Sequence, residues 1–149
     1  MQQYITGVKP VKIVIDFDGT VVEHMYPNVG KDLPFAVLVL KMLVVSGHKL
    51  ILSTMRSEEK YLDAAVKWFE EREIPLYGVQ LDPDQSSWTS SPKAYGEYCI
   101  DDRNVGSFFT TDSRGSRCID WIKVMKFFDK EGLFTDEAMS LMEDAINSR

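Results

Sequence analysis

Cysteine is scarce in this chain. It occurs twice in 149 residues, at Cys99 and Cys118, without CxxC spacing. That speaks against a disulfide framework and reads as two reduced packing residues, one in a strand and one in a helix, in a reducing compartment. Positive charge is also short: 17 Lys and Arg stand against 23 Asp and Glu, giving a net charge of -6. A broad basic surface for nucleic-acid phosphates is therefore absent, and small substrates are favoured, although a local groove stays open. No run approaches the roughly 18 apolar residues of a membrane span. The opening "MQQYITGVKP" has no basic stretch followed by an apolar one, so a cytoplasmic protein is expected. No GxGxxG follows a predicted strand, which sets a nucleotide-binding dehydrogenase aside, and no internal repeat is visible.

What is present suits one globular domain, since 44% of the residues are hydrophobic and 27% charged. Residues 11 to 15 form an apolar run of the kind buried on both faces of a parallel sheet. A turn-rich stretch follows, with Asp32 and Pro34 as a helix start. "FAVLVLKMLVV" to Val45 is apolar on nearly every side, and its length and the Gly47 stop favour a buried helix. "HKLILST" repeats the first strand pattern. Ser57 is a cap candidate for a helix whose apolar face is Leu62, Ala65, Val66 and Phe69, ending near Ile74 and Pro75. "LYGVQL" and "YCIDD" give a third and fourth strand, separated by the polar loop "DPDQSSWTSSP", in which no element is recognisable. Two further helices are expected, one around Cys118 to Phe128 facing inward with Ile119, Ile122 and Met125, and one from Asp136 to Ile146 capped by Thr135.

Strands alternating with helices predict an α/β fold, a Rossmann-like three-layer sandwich with a mostly parallel central sheet. In such sheets sites form at the carboxyl ends of strands. Those ends carry Asp16 and Asp18, Ser53 and Thr54, and Asp101 and Asp102. If the strands are neighbours, all six residues line one crevice. Carboxylates brought together raise the cost of ionising one another unless a cation compensates. Mg²⁺, a hard ion that takes carboxylate, phosphate and water oxygens, is the simplest compensation. Each pair alone also reads as a solvated turn; it is the joint pattern that carries weight.

"DFDGT" at 16 to 20, "LILST" at 50 to 54, "SPK" at 91 to 93 and "YCIDDR" at 98 to 103 resemble, in order, the four motifs of the haloacid dehalogenase (HAD) superfamily, mostly phosphatases. The likeness spans residues 11 to about 106; residues 107 to 149 match no motif and form a C-terminal helical part of the same single domain, 1 to 149. "DFDGTVVEHMYPNVGKDLPFA" and "IDDRNVG" are similar to small, capless bacterial and phage hydrolases with no established substrate.

The resemblance implies a Mg²⁺-dependent phosphomonoester hydrolase working through an aspartyl-phosphate. Asp16 would be the nucleophile, and Asp18 would protonate the leaving oxygen and later activate water. Thr54 would bind a phosphoryl oxygen, with Ser53 next to it as the alternative hydroxyl, and Lys93 would neutralise charge. Asp101 and Asp102 would hold the metal with the Asp16 carboxylate and the Asp18 backbone carbonyl, one of the pair directly and one through water. Gly19 would let backbone amides approach the phosphate. Arg56 reads either as a phosphate or carboxylate contact or as a solvated helix-entry residue, and Glu23 and His24 as substrate contacts near a mobile turn, with ordinary surface the other reading of His24. Neither Val21 to Leu33 nor the interval 55 to 92 can hold a cap domain, so an open site is expected, accessible to a large substrate or completed by a neighbouring subunit in a homo-oligomer. The 82 to 92 loop with Trp88 is a lid candidate or a plain surface loop. A polynucleotide 3'-phosphatase and a non-catalytic metal-binding module are the competing readings.

Overall fold

The computed structural model describes residues 7–148; most of the opening stretch "MQQYITGVKP" lies outside them. Four parallel strands, β1 (Lys12–Ile15), β2 (Lys49–Leu52), β3 (Gly78–Val79) and β4 (Tyr98–Ile100), stand in the order β3-β2-β1-β4. The fold is α/β and Rossmann-like, as the alternation of strands and helices predicts. Register decides where the chemistry falls. Ile15 lies opposite both Leu52 and Ile100, so the three strands end level. The next residues continue the ladder, with Asp16 N–H donating to the Ile100 carbonyl at 3.0 Å and Ser53 N–H to the Ile15 carbonyl at 2.8 Å.

Alternate residues of a strand face opposite sides. Ile13, Ile15, Leu50 and Leu52 join one core cluster with helices α1 (Ala36–Val45), α2 (Glu59–Glu71) and α3 (Trp121–Lys130). α1 buries Ala36, Val39, Leu40, Met42 and Leu43, in keeping with its all-round apolar sequence. α2 turns Ala65, Trp68 and Phe69 inward. Ser57 does not cap it. Glu58 holds the N-cap position without a side-chain bond, and the helix stops at Glu71, before a left-handed residue at Glu73 with φ 56°. Asp32 does not cap α1 either: its carboxylate accepts from Trp68 Nε1 at 2.7 Å and from Arg72, tying the entry of α1 to α2.

Val14 faces the other way and is approached by the connection from β3 to β4. A Cβ on Gly96 would stand 2.7 Å from Val14 Cγ2, so this chain lies against the sheet at glycine distance. The connection is more ordered than its polar sequence suggests. It contains a short 3₁₀ turn, Gln85–Ser87. Gln85, 2% exposed, accepts the N–H groups of Asp82 and Tyr95 and donates to the carbonyls of Ser91 and Lys93. Lys12 Nζ pairs with Asp82 at 2.7 Å and Asp84 at 3.2 Å. Loss of a buried amide that meets four backbone groups would leave each of them unpaired.

The C-terminal part departs from the sequence reading. Cys118 lies in a strand, not a helix: β5 (Phe109–Thr111) and β6 (Arg117–Ile119) form an antiparallel hairpin. Its turn is closed by Asp112 N–H to the Ser116 carbonyl at 2.8 Å, with Gly115 at φ 82° supplying the left-handed residue. α3 therefore starts at Trp121, after Asp120, whose Oδ1 accepts from Ile122 and Lys123 N–H. The inward face is Trp121, Val124 and Phe128, with Met125 half-buried, while Ile122 is 39% exposed. α4 (Asp136–Asn147) is capped by Thr135, as the sequence suggests, and packs on α1. Among the described residues no helix is long and apolar enough to cross a membrane.

Candidate active site: a carboxylate cluster at the strand ends

One ligand atom each from Asp16, Asp101 and Asp102 lies within 4.8 Å of the others. The level ends of β1 and β4 produce this grouping. Thr20 locks it: its Oγ1 donates to Asp16 Oδ2 at 2.9 Å and accepts Asp102 N–H at 3.2 Å. Thr20 is in turn held by Trp121, whose indole N–H donates to the Thr20 carbonyl at 2.6 Å, and Ile119 N–H reaches the Gly19 carbonyl at 3.2 Å. The hairpin and α3 thus buttress the loop after β1. Asp102 is 4% exposed, and its Oδ1 is buried with no hydrogen-bond partner among the described residues. A buried carboxylate oxygen without a donor is costly as it stands. Asp16 shows the same stress, since burial, and then the charge of Asp101, push its carboxyl up to about 8, against the pull of the Thr20 hydrogen bond. Both features fit a cation among the three carboxylates: it would satisfy Oδ1 and let Asp16 ionise.

The Asp18 carboxylate stands outside this group. Arg56 grips it from Nε to Oδ2 and from Nη2 to Oδ1, both at 2.8 Å. The remaining N–H groups of Arg56 donate to the carbonyls of Pro27 and Tyr61 (Nη1) and Asn28 (Nη2), so all five donors are used within the chain. With the residue 1% exposed, Arg56 is neither a solvated helix-entry residue nor a donor open to substrate. It fixes Asp18 and the turn at 27 to 28.

Asp16, Asp18, His24, Tyr26, Thr54, Met55, Arg56, Asp101 and Arg103 line an open cleft of about 350 Å³. Thr54 faces it at the end of β2. Gln80, a left-handed residue with φ 70°, clamps the Thr54 backbone, accepting its N–H at 2.9 Å and donating to its carbonyl at 2.8 Å. Thr54 Oγ1 accepts Arg56 N–H at 3.2 Å, which leaves its hydroxyl proton to donate elsewhere. Ser53 instead lines an adjoining hollow of about 250 Å³, shared with Asp16, Lys93 and Asp101. Lys93 thus borders the same hollow as these two aspartates.

Gly19, at φ 79°, lies beneath a contact between His24 and Asp102. A Cβ there would stand 2.1 Å from His24 Nε2 and 2.5 Å from Asp102 Oδ2. Glu23 does not reach the cleft. Its buried carboxylate accepts from the backbone N–H and hydroxyl of Ser113 in the β5–β6 turn. Glu23 is therefore a hairpin anchor and not a substrate contact, and the hairpin that explains it was absent from the sequence reading. Thr20 and Trp121 support the carboxylate cluster and Gln80 the Thr54 backbone, and the sequence reading names none of the three for this. Thr20 lies inside the quoted "DFDGT"; Gln80 and Trp121 carry no local signal, because their partners are distant in the chain.

Among solved structures the chain is similar to a conserved protein of Bacteroides thetaiotaomicron, with 36% identity and a TM-score of 0.68 over 83% of this chain and 93% of that one. The chain belongs to the family of that conserved protein. No protein-family model and no curated protein matches it. What the family shares with this chain is the parallel α/β architecture, and the acidic group of Asp16, Asp101 and Asp102 is the feature here to which a metal ion can be assigned.

Proposed function

We propose that the protein is a Mg²⁺-dependent phosphomonoesterase of the HAD type, acting through an aspartyl-phosphate at Asp16. The observation that carries this reading is the double position of Asp16: it belongs to the three-carboxylate group and also borders the open cleft that Asp18 and Thr54 share. Asp16, Asp101 and Asp102 would hold the metal, with the Asp18 backbone carbonyl. The unpartnered Oδ1 favours Asp102 as a direct ligand. A bound Mg²⁺ neutralises charge on the phosphoryl oxygens and keeps Asp16 ionised.

A carboxylate oxygen of Asp16 attacks phosphorus, forming the acyl-phosphate as the ester P–O bond breaks. Asp18 would enter this step as the carboxylic acid, giving its proton to the departing alcohol oxygen and becoming the carboxylate that Arg56 grips. In the second half-reaction Asp18 takes a proton from water, whose oxygen attacks the acyl-phosphate and returns Asp16 with release of inorganic phosphate. Arg56 sets the orientation of Asp18 throughout, and each Asp18 oxygen keeps a second lone pair for this exchange. Thr54 donates its hydroxyl to a phosphoryl oxygen, and Lys93 lowers the charge around Asp16 and the transferring group. The test is phosphate release from sugar phosphates, nucleotides, 3'-phosphorylated oligonucleotides and an aryl phosphate, with Mg²⁺ or chelator. Metal-dependent turnover supports the reading; a folded protein that binds Mg²⁺ and turns over none of them would favour a binding module.

A further inference from the structure

The segment from Val21 to Gly30 returns one side chain, His24, to the carboxylate cluster. Its Nε2 lies 2.8 Å from Asp102 Oδ2. A carboxylate accepts, so Nε2 carries the proton and the other oxygen, Oδ1, is the one no group among the described residues claims. The contact lies directly on Gly19, where any Cβ would collide with both of its atoms. The residues flanking His24 are themselves fixed. Glu23 N–H donates to the Lys31 carbonyl at 2.8 Å, the Glu23 carboxylate is held by Ser113, and Met25 Sδ accepts from Arg114 Nη1 at 2.8 Å. The hairpin tip therefore grips the chain on both sides of His24. That is more anchoring than a mobile turn carrying a substrate contact requires.

We propose that His24 is a positioning residue for the metal centre: its Nε2–H holds Asp102 Oδ2 and so presents Oδ1 to the cation. The role rests on the metal-dependent reading above. A carboxylate with two equivalent free oxygens can rotate, or lie across the cluster against Asp16; one oxygen pinned by a rigid donor removes that freedom before the ion arrives. Partners of this kind behind metal ligands typically change affinity by about 10- to 100-fold when removed.

The experiment is calorimetric titration of the metal-free full chain with Mg²⁺ and with Mn²⁺, for wild type, His24→Ala, His24→Leu and His24→Gln, with the melting temperature of each metal-free sample recorded alongside. Because the His24 side chain is 35% exposed, folding should survive these changes. His24→Ala and His24→Leu are expected to weaken Kd by about 10- to 100-fold at nearly unchanged metal-free melting temperature. His24→Gln, whose amide nitrogen has a similar reach, is expected to recover most of the loss. Wild-type affinity in the two donor-free variants overturns the role of His24 and leaves the metal reading standing. A glutamine variant as weak as alanine overturns the hydrogen-bond account. A wild type that binds neither ion overturns the metal reading itself, and the role of His24 with it.

Discussion

Arg56 and Asp18 meet through two parallel hydrogen bonds of 2.8 Å, with the guanidinium buried and its other donors spent on three backbone carbonyls. Removing one partner of a buried ion pair typically costs about 3–5 kcal/mol, because the other charge is stranded. Arg56→Ala should lose stability on that scale in a urea titration. Arg56→Lys should recover little, since a lysine cannot reproduce the fork or serve three carbonyls at once.

Thr20→Val keeps the shape of the side chain but strands Asp102 N–H and one oxygen of Asp16. Each unsatisfied buried group costs about 1–3 kcal/mol. The expected outcome is a lower denaturation midpoint together with weaker Mg²⁺ binding, with Thr20→Ser close to wild type in both. Wild-type metal affinity in the valine variant would show that the hydroxyl does not organise the cluster.

Ser113→Ala removes one of the two donors that Glu23 receives from the β5–β6 turn. Stability should fall by roughly 1–3 kcal/mol. Amide hydrogen exchange should quicken at the hairpin and at residues 23 to 25 together. Faster exchange confined to the hairpin would contradict the coupling.

His48 gives a pH dependence whose sign follows from its hydrogen bonds. Nδ1 accepts Val11 N–H at 3.1 Å and Nε2 donates to the Leu133 carbonyl at 2.7 Å, so the neutral ring fits and a second proton has no place. Burial holds its pKa below the usual 6.5. Between that lowered value and 6.5 the unfolded chain binds more protons than the folded one, so stability is full above about pH 6.5 and falls as the pH drops below it. The melting temperature of wild type should decline across that range more steeply than that of His48→Gln, which will be less stable at neutral pH.

Much of this architecture is legible in the chain. Four strands, the Gly47 stop after α1 and the Thr135 cap of α4 follow from apolar runs and turn residues, and the level carboxylates follow from strand ends. What escaped reading is instructive. The β5–β6 hairpin rests on a tight turn between short, mixed-polarity strands, a pattern too brief to separate from the helix beside it, and its loss shifted the expected face of α3 from Trp121, Val124 and Phe128 to Ile119, Ile122 and Met125. The surroundings of Glu23 and Arg56 are hidden in the sequence for a different reason. Their partners, Ser113 and Asp18, lie 90 and 38 residues away, so a charge that tertiary structure satisfies looks free in sequence.

The most direct measurement is mass spectrometry of the Asp16 peptide after rapid quenching of Asp18→Asn with Mg²⁺ and an aryl phosphate that wild type hydrolyses, whose leaving group departs without a proton from Asp18. Phosphoryl transfer to Asp16, trapped because the second half-reaction lacks its base, is the predicted result, with no adduct in Asp16→Asn and none in chelator. Hydrolysis that persists in Asp16→Asn, or single turnover without phosphoryl on Asp16, would contradict the account.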